Sequence, residues 1–307
     1  MSKILVLTGA TGKKSGGVLI ENIGKNLDKV QDMFPDGIRA IVRKTSDTTD
    51  LDRLIPNVQK FIGGMTDSYL LKDAFKDADT VVHVAGIHFS CEIVEAAVSC
   101  NVRRLILVHT TGIYSKYKAA GEEYREIDSF VYKTCKEHNI VLTILRPTMI
   151  YGNIMDNNVV TFIKMVDRLP LMPVVNEAKY ELQPVHYKDL GDAYYAVLMN
   201  EEATANKDFN LSGGEPILLR DMLLEIGKNF GKKVKFINCP FGIAYLGAWF
   251  VYVLTLRKKD YREKVQRLCE PRTFSHEDAT TAFGYSPRTF NSGITDEVKQ
   301  YKEKIRG

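Results

Sequence analysis

Residues 3 to 17 read Lys-Ile-Leu-Val-Leu-Thr-Gly-Ala-Thr-Gly-Lys-Lys-Ser-Gly-Gly, residue types and spacings suited to holding a diphosphate. Ile4 to Leu7 is a short apolar run, the pattern of a strand buried on both faces. A glycine-rich turn follows at once, and Val18, Leu19, Ile23 and Leu27 then recur in an apolar-periodic segment. Strand, glycine turn and helix together bind the pyrophosphate of a dinucleotide. Glycine lets the backbone approach the phosphates, and the helix N-terminus offers free N–H groups and the positive end of its dipole. Gly9, Thr11, Gly12, Lys13, Lys14, Ser15 and Gly16 are the residues expected around that ligand. Lys13 and Lys14 either contact phosphate or are solvated loop charge.

Such a turn needs a parallel sheet behind it. Candidate strands are 4–7, 39–42, 59–62, 80–84, 105–109 and 141–145, with helix-like stretches near 18–29, 67–76, 90–99 and 117–136. This alternation predicts an α/β fold with a Rossmann-type, doubly wound parallel sheet. Ligands in such sheets lie beyond the carboxyl ends of the strands. Those ends carry the glycine turn, Arg43-Lys44, Ala85-Gly86, Thr110-Thr111-Gly112 and Arg146-Pro147-Thr148. After Gly152 the alternation breaks down around Pro170, Pro173 and Pro184, with helices expected at 157–168, 188–199 and 218–230. Residues 1–152 are expected to form the dinucleotide-binding domain, and 153–307 a smaller C-terminal substrate lobe interleaved with the sheet.

Composition bounds the function. The 307 residues are 45% hydrophobic, enough for a sizeable core. A net charge of +4 without a long basic run points away from nucleic acid, or bulk anionic membrane, as the main partner. The 5 cysteines are odd in number and show no CxxC pairing, so they read as free thiols of a reducing compartment and predict a cytoplasmic protein. The N-terminal residues do not read as a secretory signal, because the first strand begins immediately. No His/Cys/Asp/Glu cluster has metal-ligand spacing, and His83, His109 and His186 read as packing or hydrogen-bonding residues. Phe241 to Leu256 is uncharged and strongly apolar, yet shorter than the roughly 20 residues a transmembrane span needs. A buried helix of the second lobe is expected there, in preference to an interfacial or partner-binding helix.

In order along nearly the whole chain, several segments resemble the extended or atypical short-chain dehydrogenase/reductases of the NAD-dependent epimerase/dehydratase group. Gly9 and Gly12 have that family's spacing within Thr8-Gly-Ala-Thr-Gly12. Ser15 occupies the usual place of the third glycine and Gly16 comes one residue later, which reads as a one-residue insertion enlarging the loop. Val81-Val-His-Val-Ala-Gly86 resembles the end of the fourth strand, placing Val84, Ala85 and Gly86 along the cofactor. Leu145-Arg-Pro-Thr-Met-Ile-Tyr-Gly152 resembles the segment bordering the nicotinamide, placing Pro147, Thr148 and Met149 there. Gln183-Pro-Val-His186 with Asp189-Leu190, Asn210 to Pro216 and Phe283 to Pro287 resemble landmarks of the substrate half.

The resemblance implies a Ser or Thr at the end of the fifth strand and a Tyr-x-x-x-Lys on the next helix. There the lysine lowers the tyrosine pKa, and the tyrosine exchanges a proton with the substrate as hydride moves. Thr110 and Thr111 fit the first role. Tyr124 fits the tyrosine by helix position, but four residues on stands Asp128, which would raise a tyrosine pKa. Tyr124 also shares helical spacing with Tyr117, Ala120, Ile127 and Val131, as a core residue would. A literal Tyr-x-x-x-Lys runs from Tyr114 to Lys118, closer to the strand. Tyr124 is ranked first, with Lys118 as a recruited cation.

Arg43 and Lys44 end the second strand, where an acid would suit NAD and a base the 2′-phosphate of NADP, so NADP(H) is expected in preference to NAD(H). Asp67 belongs either to the adenine pocket or to the N-cap of the next helix. Two functions follow from the resemblance. One is an NAD(P)-dependent oxidoreductase or epimerase/dehydratase acting on a small molecule such as a nucleotide-sugar, with a homodimer left open. The other is a degenerate member that holds NADP as a sensor or an accessory subunit.

Overall fold

The computed structural model describes residues 2–117, 119–258 and 260–306. Its centre is a seven-stranded parallel sheet. Six strands come from the first half: β1 (Ile4–Thr8), β2 (Gly37–Val42), β3 (Gln59–Ile62), β4 (Ala78–His83), β5 (Arg104–Val108) and β6 (Val141–Pro147). The spatial order is β3-β2-β1-β4-β5-β6, and the strand Lys207–Leu211 joins the β6 edge. The sheet therefore takes a strand from well beyond residue 152. The order reverses between β1 and β4, opening a crevice at the ends of these two strands.

β1, β4 and β5 lie entirely inside, as the apolar runs of β1 and β5 require, while β4 buries Asp79, Thr80 and His83 on hydrogen-bond partners. One face of the sheet packs under helix α1 (Ser15–Lys25) and the helix Tyr187–Met199, with Leu7, Leu19, Ile23, Leu190 and Tyr194 in the shared core. The other face is covered by the helices Ser68–Phe75, Ser90–Ser99 and Gly121–Glu137, through Phe75, Val94, Val131 and Cys135. A third core, around Tyr151, Ile163, Met222 and Phe290, joins the lobe helices Val159–Arg168, Leu219–Phe230 and Phe290–Arg306.

One expectation is overturned. The apolar segment is indeed a helix, Phe241–Leu254, but only Ala248 on it is buried. Its large side chains face outward, with Leu254 79% exposed. A helix apolar on every face has the same sequence signal in a core as on a surface; here it lies outside the third core.

Candidate functional site

The glycine turn sits in the crevice. Gly9 has φ +73°, and a Cβ there would stand 2.8 Å from the Ala85 backbone nitrogen, so β1 and β4 can approach only through glycine. A Cβ on Gly16 would stand 2.3 Å from the Gly9 oxygen, so Gly16 is the close-packing glycine of α1. Gly12 differs: a Cβ there would meet only the Gly9 oxygen, at 3.5 Å, an ordinary contact. Nothing within the protein requires glycine at position 12, and its exposed face is the cradle that a bound phosphate would use. Lys14 precedes α1 without a side-chain cap, leaving the first N–H groups of the helix to other acceptors. Thr11, Gly12, Lys13, Lys14 and Asp47 line a groove of about 370 Å³ beside this helix end. Ser15 is buried at the start of α1.

His83 supports the opposite wall. It accepts from the Thr8 hydroxyl at Nδ1 (2.7 Å) and donates from Nε2 to the Gly86 carbonyl (2.9 Å). Full burial pushes its pKa down to about 4, so the ring stays neutral and pins the Val84-Ala85-Gly86 turn. Gly86 has φ +102° and open space where a side chain would be. Arg43 and Lys44 are exposed at the end of β2. Asp67 caps the helix Ser68–Phe75, accepting from the backbone N–H groups of Tyr69 and Leu70, both at 3.1 Å.

Past β5 and β6 lies a cavity of about 360 Å³. Thr110, Thr111, Tyr114, Pro147, Thr148 and Met149 all line it. Thr111 donates to the Pro147 carbonyl (3.2 Å), tying the two strand ends together. Thr110 accepts from the Gly112 N–H at 3.0 Å, which leaves its own proton available. Thr148 donates to the Gln183 carbonyl (2.5 Å), joining the sheet to the lobe. Tyr114 ends the short helix Thr111–Tyr114, is half-exposed, and packs on Phe274 with ring centroids 5.4 Å apart. Burial pushes its pKa above the ordinary tyrosine value. Tyr124 does not line the cavity; it is buried on the helix Gly121–Glu137 against His88. Its pKa is raised by burial first and by Glu123 next. Lys118 lies outside the described residues.

Asp128 does not act on Tyr124. Its carboxylate takes a hydrogen bond from His109 Nδ1 (2.6 Å) and pairs with Arg146 Nη2 (2.6 Å). Burial pushes the carboxyl up, but these two partners outweigh it and hold it below the ordinary aspartate value. His109 accepts from Ser90 Oγ at 3.0 Å, and burial keeps its ring neutral. Ser90, His109 and Asp128 thus have the hydrogen-bond order of a hydrolase triad, but Ser90 has no exposed surface and cannot reach a substrate. The network instead braces the cavity floor, where His109 and Thr110 meet.

The lobe supplies groups that sequence reasoning missed. Arg267, Glu270, Pro271 and Arg272 line the same cavity as the threonines. Glu270 accepts from Ser115 Oγ (2.6 Å) and the Lys116 N–H (2.8 Å). Burial, and then the charge of Arg267, push Arg272 down to about 10, and the buried Nε of each arginine has no hydrogen-bond partner among the described residues. Arg267 also pairs with Glu263 (3.9 Å), whereas Arg272 has no ion-pair partner among the described residues and brings positive charge to the cavity. The run Arg262 to Arg272 carries basic residues at irregular spacing, so no period marked them as a site.

Residues 26–164 match the family model described as NAD(P)H-binding, a segment that begins after the glycine turn. The UDP-glucose 4-epimerase of Thermotoga maritima, solved with UDP-glucose, aligns over 98% of this chain and 99% of its own, at 15% identity and TM-score 0.69. The chain has the extended short-chain dehydrogenase/reductase fold. Other structures sharing this fold include an NADPH-dependent quinone oxidoreductase from Escherichia coli, with 16% identity, coverage of 97% and 99%, and TM-score 0.70. The triphenylmethane reductase of Citrobacter sp., complexed with NADP(H), has 19% identity, coverage of 96% and 99%, and TM-score 0.69. No curated protein sequence matches significantly.

Proposed function

We propose that the chain is an NADP(H)-dependent oxidoreductase or epimerase/dehydratase acting on a small, anionic, polar alcohol or carbonyl compound, a class that includes nucleotide-sugars. The observation that carries the reading is the cavity at the ends of β5 and β6. Thr110, Tyr114, Arg267 and Arg272 line it together. Gly12, the uncapped start of α1 and the open face of Gly86 fit the phosphates and backbone contacts of a dinucleotide. Bound there, a nicotinamide dinucleotide supplies or accepts a hydride. Arg43 and Lys44, exposed at the end of β2, favour the 2′-phosphate of NADP(H).

Tyr114 is the proton-transfer residue of this reading, because it reaches the cavity and Tyr124 does not. Its raised pKa keeps the hydroxyl protonated at neutral pH, which suits donation to a carbonyl oxygen. Thr110 holds that oxygen with its uncommitted proton, while Arg267 and Arg272 hold the anionic end of the substrate. A dinucleotide-binding protein without turnover is the second reading. It is favoured by Asp128, an acid four residues after Tyr124 that is already spent on His109 and Arg146.

NADPH calorimetry together with NADPH oxidation over a panel of carbonyl compounds separates the two. Oxidation by the parent that is lost in Tyr114→Phe supports the enzyme. Tight NADPH binding with no compound reduced supports the second reading.

A further inference from the structure

We propose that the helix Phe241–Leu254 is a membrane-docking element that seats this protein on the surface of an anionic phospholipid bilayer. Ile243, Leu246, Trp249, Phe250, Val253 and Leu254 are all exposed on it, and the helix carries no charged residue. Val251 is exposed as well, and at 3.6 residues per turn these seven side chains sweep about 200°, more than half of the circumference. A rigid protein partner covers one stripe of a helix, whereas fluid acyl chains cover a wide arc. Isolated exposed hydrophobics are ordinary, but a contiguous apolar arc of this kind marks an interaction surface.

Charge fixes the occupant. The chain leaves the helix through Leu256, Arg257 and Lys258, all exposed, and among the described residues neither Arg257 nor Lys258 has an ion-pair partner. Arg262 lies 4.2 Å over the ring of Tyr252, with its charge engaged by Asp260. Lys264 follows, exposed, over the ring of Tyr261. Apolar side chains bounded by aromatic rings and unpaired basic residues match the layers of a bilayer surface: acyl chains, interface and anionic headgroups. The whole-chain charge of +4 conceals this local patch. No helix among the described residues is long and apolar enough to cross a membrane, so the mode is lying on the surface, not spanning it. The same stretch continues into Arg267 and Arg272, so the cavity described above would open close to the bilayer.

Trp249 is the sole tryptophan of the chain, and it stands 42% exposed on this helix, so its fluorescence reports on it alone. Mixed phosphatidylcholine and phosphatidylserine vesicles should shift its emission to the blue and carry the protein down on sedimentation. Vesicles of phosphatidylcholine alone should do so weakly, and added salt should reverse binding. Phe250→Glu, an exposed change, should lower vesicle affinity about tenfold or more with an unchanged thermal midpoint. Arg257→Gln with Lys258→Gln should lower it about 30-fold, at about fivefold per charge. The proposal is overturned if phosphatidylserine vesicles produce neither shift nor sedimentation, or if Phe250→Glu binds as well as the parent. It is equally overturned if the shift follows protein concentration without lipid, which would assign the helix to a second copy of the chain.

Discussion

Asp128 and Arg146 form a buried ion pair, Oδ2 to Nη2 at 2.6 Å, at the helix position where the family resemblance implies a lysine. The acid does not act on Tyr124; it neutralises an arginine on β6 and orients His109 under the cavity. Breaking a buried pair leaves a charge uncompensated, at a cost of about 3–5 kcal/mol. Asp208 stands 3.2 Å from Arg146 Nε and shares the guanidinium, so Asp128→Asn should lose about 3 kcal/mol, the lower end of that range. Urea denaturation measures it, and a loss below about 1 kcal/mol would place the pair among contacts of surface strength.

Tyr114→Phe should lower turnover by about 10²–10⁴-fold with little change in substrate KM, the signature of a lost general acid. Tyr124→Phe should leave turnover within about threefold, since Tyr124 does not line the cavity. Because burial raises the Tyr114 pKa, rate should show no tyrosine-dependent fall until the pH exceeds the ordinary value near 10. A Tyr114→Phe protein as active as its parent would remove the residue from the chemistry.

Arg43→Ala should weaken NADPH binding by about 10–100-fold, the worth of a charged hydrogen bond of about 1.5–3 kcal/mol, and leave NADH affinity unchanged. Equal losses for both cofactors would mean that Arg43 does not recognise the 2′-phosphate.

Glu297 has no exposed surface and accepts from the Gly152 N–H at 2.7 Å. Burial, and then Asp156, push its carboxyl up to about 9, so the folded chain keeps a proton that the unfolded chain releases near 4.5. Its contribution to stability is full below the unfolded value and declines as pH rises toward the folded one, by up to about 1.4 kcal/mol per pH unit. Glu297→Gln mimics the protonated acid, so it should hold its stability and flatten that decline. Guanidinium denaturation from pH 5 upward tests this, and an unchanged slope would assign the dependence to other groups.

The sheet was legible wherever strands are buried on both faces, because runs such as Ile4–Leu7 and Leu105–Val108 have no other use for unbroken apolarity. Lys207–Leu211 was not legible: it is an edge strand with only Phe209 and Leu211 buried, and Lys207, Asp208 and Asn210 hide it. The residues that line the crevice at the ends of β1 and β4 could be named because the glycine turn and the strand ends are local patterns. The His109–Asp128–Arg146 network could not, since its members come from three elements and only the fold brings them together. Arg267 and Arg272 were hidden for the same reason, and the outward placement of Phe241–Leu254 because apolarity without a period reads alike inside and outside.

The central claim is that the open face at Gly12 holds the phosphates of a nicotinamide dinucleotide. Calorimetric titration of NADPH into the parent and into Gly12→Val tests it most directly. A Cβ at this position meets only the Gly9 oxygen, at 3.5 Å, so the variant should keep the parent's thermal midpoint. The parent should bind NADPH, and Gly12→Val should give no binding heat. A folded variant that binds NADPH as tightly as its parent, or a parent that binds neither NADPH nor NADH, would contradict the account.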